Sequence, residues 1–234
     1  MQEHGSIIKI VNIFPKSFIP GDYLPDAITM TWLLMAVVLP FAYFFGKNLK
    51  KFPTKFQYVL EALTSFIVYT LEDAMGSYGR KFFPLIGGLA VFILLGNLMG
   101  LIPGLAQPTA NLNTTLALAI ISFLVYNYEG IKKHGFVKYI KHFAGPVPWM
   151  APIMFPIEVV SHLSRILSLS FRLFGNMFGD EMVVLVALML VPFLVPVAGE
   201  FIVFANSFLQ TFIFCILTVV YIATAIEEHE EQHS

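Results

Sequence analysis

The sequence predicts an all-α integral membrane protein of about five to six hydrophobic helices in a single membrane domain. Composition is the first reason. Of its 234 residues 57% are hydrophobic and 12% charged, where a soluble domain carries roughly 25% charged residues. Mean hydropathy is +0.77. The second reason is the length of the charge-free runs, several of which match the ~20 residues a helix needs to cross a ~30 Å hydrocarbon core. The third is the placement of lysines, which cluster between the runs as loops on one side of a membrane require. A formal net charge of -1 excludes the basic signature of a nucleic-acid binder. One cysteine, Cys215, rules out an intramolecular disulfide framework. The scattered histidines match no zinc spacing, so neither a metal nor a cofactor is expected.

The elements follow in order. Residues 1–26 are mixed in character and punctuated by prolines. They read as an outer tail, because a cleavable signal needs a basic start and a short apolar core. Ala27 to Gly46 carries no charge and forms the first span. Lys47, Lys50, Lys51 and Lys55 follow, which places that end in the cytoplasm and the N-terminus outside. From Phe56 to Gly79 the apolar residues Phe56, Val59, Leu60, Leu63, Phe66, Ile67 and Leu71 recur at helical spacing. Glu61, Glu72 and Asp73 interrupt them, and Arg80 and Lys81 add a second basic cluster. Basic clusters at both ends predict an amphipathic helix over 56–79, or a shallow hairpin, lying at the cytoplasmic face, with a true span as the alternative.

Phe82 to Tyr128 holds no charged residue. The stretch "IPGLAQPTANLN", 102–113, breaks it into a hairpin of two spans, 85–101 and 112–128, joined outside. Lys132, Lys133, Lys138 and Lys141 return the chain to the cytoplasm. After "GPVPWMAPIMFP" comes an apolar stretch from Pro156 to Val191. As one helix it would run about 54 Å, so it must tilt, kink or lie nearly flat. "VPFLVPVAGE" makes the next break, and Phe201 to Ile226 is the last charge-free segment. Residues 151–226 thus hold two long helices, and 227–234 form a charged cytoplasmic tail.

One polar stripe stands out. Glu158, Ser161, Arg165, Ser168, Arg172, Asn176 and Gly179 stay within about 40° of one direction at 100° per residue. Glu181 points to the opposite side. Glu158 lies about 21 Å along the axis from Arg172, and Glu181 about 14 Å the other way. Small and amide residues on such a face are common helix-packing groups, and Gly175 and Gly179 form a small-residue pair. Arg172 resists that explanation. Charge-free sequence extends at least six residues on both sides, too far for snorkelling, and an arginine at a helix centre costs about 2.5–3.5 kcal/mol on insertion scales. Its guanidinium never titrates, so it can hold or repel a carboxylate but not relay protons. Glu158 and Glu181 can relay them. Two proton-accessible pockets separated by a permanent cation form a barrier, which a mobile carboxylate must carry the ion past. On the last segment Asn206 and Gln210 are one turn apart, with Thr211 beside them. Such amides serve as interhelical glue or as ion ligands. Glu200 is either interfacial or part of an outer pocket. Asn111 and Asn113 have turn chemistry as their ordinary role.

At "SLSFRLFGNMFGDE" with "LQTFIFCILTVVYIATA" the sequence resembles subunit a of F-type ATP synthases. "PIEVVSHLSRILSLSFRLFGNM" and "NLNTTLALA" resemble the same family's flanking segments. The resemblance extends from about Phe82 to the C-terminus. It implies a membrane stator whose two long tilted helices form a C-terminal hairpin against a rotating c-ring, with peripheral stalk b subunits and lipid as further partners. Arg172 matches the family's essential arginine. Glu181 and Asn176 match positions tied to the outer half-channel, and Gln210 matches the glutamine near the arginine. Glu158, Ser161, Ser164 and Ser168 match the stretch linked to the inner half-channel. The sequence departs from some members at Val203, seven positions before Gln210, where they carry an ionisable residue. Glu200, one turn earlier, is the candidate replacement, and Asn206 is a further candidate for the channel lining. The resemblance also implies a bacterial-type plasma membrane location, and a chain with no catalytic site of its own.

Two other classes compete. A free-standing secondary transporter fits broken helices and intramembrane charge, but the chain shows no matching halves. An intramembrane protease needs a nucleophile with a base, or paired aspartates. The aspartates are Asp22, Asp26, Asp73 and Asp180, and Ser168 has no evident base. No G-x-x-x-x-G-K-[ST] phosphate loop is present.

Overall fold

A computed structural model of the chain describes residues 26–47, 55–102, 105, 107–135, 151–190 and 194–227. Among the described residues the chain forms six α-helices and three short 3-10 segments, with no strand. We number the helices α1 (Asp26–Lys47), α2 (Lys55–Met75), α3 (Phe83–Leu98), α4 (Leu112–His134), α5 (Ala151–Leu190) and α6 (Leu194–Glu227). Among the described residues four helical stretches are long and apolar enough to cross a membrane: Gln57–Leu101, Leu112–Lys133, Pro152–Val184 and Gly199–Ile226. The first of these contains α2, a turn and α3. The fold is that of an all-α integral membrane protein. The outer tail, the lysines at 50, 51, 138 and 141, and the cytoplasmic tail lie outside the described residues.

The turn between α2 and α3 shows how local sequence positions the bundle. Gly76 adopts φ +61°, a left-handed conformation that glycine reaches without strain. The 3-10 segment Gly76–Phe82 then folds back on α2. Gly79 presses against the backbone of Leu71, where a Cβ would stand 2.1 Å from the carbonyl oxygen. The same segment is tied to α4. Lys81 Nζ donates to both Glu129 oxygens at 2.7 Å, and the Tyr78 hydroxyl donates to Oε2 at 2.8 Å.

Among the described residues two large buried clusters form the core, beside a small one of Met30, Leu34 and Met99. One joins Leu71, Phe82, Ile86, Tyr126, Val219 and Ile222 from α2, the turn, α3, α4 and α6. The other joins Leu89, Ile93, Leu118, Leu169, Leu173, Met177 and Phe214 from α3 to α6. Buried polar groups pair between elements, as they must where water is scarce. Thr109 Oγ1 donates to Asn97 Oδ1 at 2.6 Å, and Asn97 Nδ2 reaches the Ser207 carbonyl at 3.5 Å. The hydroxyls of Thr115 and Ser170 meet at 3.1 Å between α4 and α5. Asn111 caps α4, its Oδ1 accepting from the Asn113 N–H at 2.9 Å. This is the turn chemistry expected of those asparagines.

Helix boundaries move where proline is tolerated. α5 starts at Ala151 rather than Pro156, with Pro152 in its first turn and Pro156 inside it. Its 40 residues correspond to about 60 Å. α6 starts at Leu194, ahead of the expected Phe201. Proline is compatible with a first turn, because that N–H has no intrahelical acceptor. Glu200 therefore lies within α6 rather than at its edge.

Candidate functional site

α5 carries the site. Leu169, Leu173 and Met177 recur every four residues and are buried, which fixes the rotation of the helix in the bundle. Ser170, beside them, is buried against Thr115. The packed face lies about 100° round the helix from Arg172. The polar stripe consequently runs along the edge of the packing. Glu158, Ser161 and Arg165 are half-buried, while Ser164, Ser168, Arg172 and Asn176 are exposed. Glu181 is exposed on the far side of the packed face, and Glu200 on α6 is exposed as well. Among the described residues, the Arg172 guanidinium makes no hydrogen bond or ion pair, although exposed apolar residues such as Leu167, Phe171 and Phe208 occupy the same pair of helices.

α5 and α6 pair antiparallel in a fixed register. Asn176 Nδ2 donates to Gln210 Oε1 at 2.6 Å, and Asn206 Nδ2 donates to Asp180 Oδ2 at 2.6 Å. Four residues forward on one helix match four residues back on the other. The Arg165 guanidinium lies 5.7 Å from the Tyr221 ring centroid in the same register. Gln210 is fully buried and engages Asn176, one turn from Arg172. Both amides of α6 thus make interhelical bonds of the kind that hold membrane helices together.

At the Glu158 end the polar groups turn to α4 instead. Glu158 Oε1 lies 3.3 Å from His162 Nε2, and His162 Nδ1 lies 2.6 Å from the Tyr126 hydroxyl. The imidazole stacks on the Tyr126 ring at 5.7 Å with 23° between planes.

Three residues join the site that sequence reasoning left out: Asp180, His162 and Tyr126. A signal for Asp180 existed. Asn176 and Asp180 are four apart on α5, as Asn206 and Gln210 are on α6, and two such pairs on neighbouring antiparallel helices form rungs. His162 had an i,i+4 relation to Glu158. Tyr126 carried no signal, since only tertiary packing brings α4 there. Arg172, Glu158 and Glu181 are not brought into contact with one another, and Val203 is buried.

A family model described as ATP synthase A chain matches residues 28–223. The chain is 51% identical over 202 residues to "ATP synthase subunit a" of Aliarcobacter butzleri, covering 86% of this chain and 89% of that one. It is 53% identical over 186 residues to the protein of the same name from Nitratiruptor sp., covering 79% and 82%. The Helicobacter pylori protein of that name is 47% identical over 204 residues, covering 86% and 90%.

Proposed function

The chain belongs to the ATP synthase A chain family, and from that premise we propose that it is the ion-translocating stator of a rotary F-type ATP synthase, with the proton as its ion. It lies in the bacterial plasma membrane with its N-terminus outside and its C-terminus in the cytoplasm. α2 runs along the cytoplasmic face. Its partners are the c-ring, the peripheral stalk b subunits and lipid. Nucleotide chemistry takes place on other subunits.

The observation that carries this reading is Arg172. It is a permanent charge, exposed at the middle of a helix long enough to cross the membrane, with no counterion among the described residues. A membrane charge is tolerated where it meets a partner or water. A carboxylate on the rotating ring supplies that partner. A proton enters from outside on the Glu181 side, with Asn176 and Gln210 assigned to the same half of the path, and neutralises the ring carboxylate. The neutral site then turns into lipid. It next meets the inner pocket lined by Glu158, Ser161, Ser164 and Ser168, and releases its proton there. The resulting anion is held by Arg172, which cannot itself carry a proton between the two sides. Each charge crossing the membrane contributes about 2.3 kcal/mol per 100 mV. Glu200 and Asn206 extend the outer side.

Two measurements test the reading. Mild-detergent purification should bring down the ring and the nucleotide-hydrolysing subunits with this chain. Arg172→Ala in the assembled complex should abolish ATP-driven proton pumping. A chain that purifies alone, or a pumping Arg172→Ala complex, would sink the proposal.

A further inference from the structure

The Glu158 side of α5 holds two residues that this mechanism leaves unused. We infer that His162, oriented by Tyr126, is a positioning residue for Glu158 and gives the inner side of the proton path an imidazole-type pH dependence. The inference rests on the proposed function.

Tyr126 is 2% exposed, within the cluster of Leu71, Phe82, Ile86 and Ile222. A buried phenol needs a partner for its hydroxyl, and His162 Nδ1 at 2.6 Å is one. The Tyr126 hydroxyl can donate to Nδ1, and an ionised Glu158 carboxylate beside Nε2 can only accept, so both neighbours favour the same tautomer. Nδ1 therefore accepts, and the hydrogen of the neutral ring sits on Nε2. Nε2 is the atom 3.3 Å from Glu158 Oε1. Tyr126 thus selects the tautomer that points a donor at Glu158. The ring is held in place by its stack on Tyr126 and by the edge of Phe123, 6.4 Å between centroids.

The same contacts suit the charged ring. On protonation Nδ1 becomes a donor and the Tyr126 hydroxyl turns to accept. The ring gains charge without leaving its place, and Glu158 then faces a cation instead of a neutral donor. Among the described residues, the titratable and charged groups around His162 are Glu158 and Arg165 on α5, Tyr126 on α4 and Tyr221 on α6. Arg165 is turned over the Tyr221 ring. One turn along α4, Glu129 is taken up by Lys81 and Tyr78.

The test uses the complete ATP synthase in inverted membrane vesicles, whose cytoplasmic face meets the medium. ATP-driven proton pumping is followed against the pH of the medium and divided by the hydrolysis rate of the detached soluble head. The wild-type ratio should show an inflection in the imidazole range, about pH 6–7. His162→Gln keeps a donor near the Nε2 position but does not titrate in that range. It should hold the plateau within about twofold, because a donor still faces Glu158, and lose the inflection. Tyr126→Phe keeps the stack and removes the bond to Nδ1, so it should move the inflection while pumping persists. A wild-type ratio without an inflection, or an inflection unchanged in His162→Gln, would overturn the inference. If His162→Gln does not assemble, Tyr126→Phe decides, and an unmoved inflection there is equally fatal. Arg172→Ala runs alongside. Pumping that survives in that variant defeats the stator reading. Its loss, with unchanged profiles in the other two, defeats only the role of His162.

Discussion

The two halves of α5 hydrogen-bond to different neighbours. Before Arg172, His162 meets Tyr126 and Ser170 meets Thr115, both on α4. After it, Asn176 meets Gln210 and Asp180 meets Asn206, both on α6. Arg172 stands at the change and takes part in neither set. The contrast teaches that, among the described residues, the two polar regions hydrogen-bond to different helices. A hydrogen-bonded line from Glu158 to Asp180 would have to pass the apolar contact region of Leu173 and Phe214, which are both fully buried. The separation of the two polar regions thus lies in which helix each half of α5 hydrogen-bonds to.

Substitutions can break or sharpen that contrast. The largest effect belongs to the residue at the change. Arg172→Ala should remove ATP-driven pumping entirely while the complex still assembles, seen as loss of fluorescence quenching in vesicles that retain their soluble heads. Next comes the half bound to α6. Asn206→Leu leaves the half-buried Asp180 carboxylate without its amide, a loss of about 1–3 kcal/mol, read as a lower temperature for dissociation of the complex. A double-mutant cycle refines the point. Asp180→Ala and Asn206→Ala should couple by about 0.5–3 kcal/mol, whereas Asn206→Ala and His162→Gln should add within about 0.5 kcal/mol. Coupling in the second pair would show that the halves communicate after all. The smallest effect is expected at Ser170. Ser170→Ala removes one neutral bond to Thr115 and should cost about 0.5–1.5 kcal/mol, with pumping and its pH profile unchanged.

The fold was largely legible because the bilayer constrains it. Charge-free runs and lysine clusters mark the helices, and the helical stretch 26–47 coincides with the run expected first. Limits were harder to read where prolines fell. Pro152 and Pro196 read as breaks, yet they sit in the opening turns of α5 and α6, where a missing N–H costs little, while Pro156 lies inside α5 and removes one of its backbone hydrogen bonds. The stripe on α5 was legible from its period alone, and so was the oddity of Arg172. Asp180 and His162 were legible only as spacings on α5, and Tyr126 not at all, for one physical reason. Periodicity says which residues share a face of one helix, but not which residue of another helix meets that face, nor at what height. That depends on how α4 and α6 pack, through contacts such as Leu173 with Phe214, whose partners lie far apart in the chain.

The matched rungs between α5 and α6 also have a mechanical meaning. Two rods that can slide past each other bend separately, whereas two rods pinned at several heights bend as one beam. Asn176 with Gln210 and Asp180 with Asn206 are such pins, and the buried contacts of Leu173 and Phe214 fill the space between them. A sideways push on the exposed face of either helix is then borne by both. From there it reaches α4 through Ser170 and Thr115, and α3 through Ser207 and Asn97. The polar pairs that fix the register thereby give the bundle its stiffness against a sideways load.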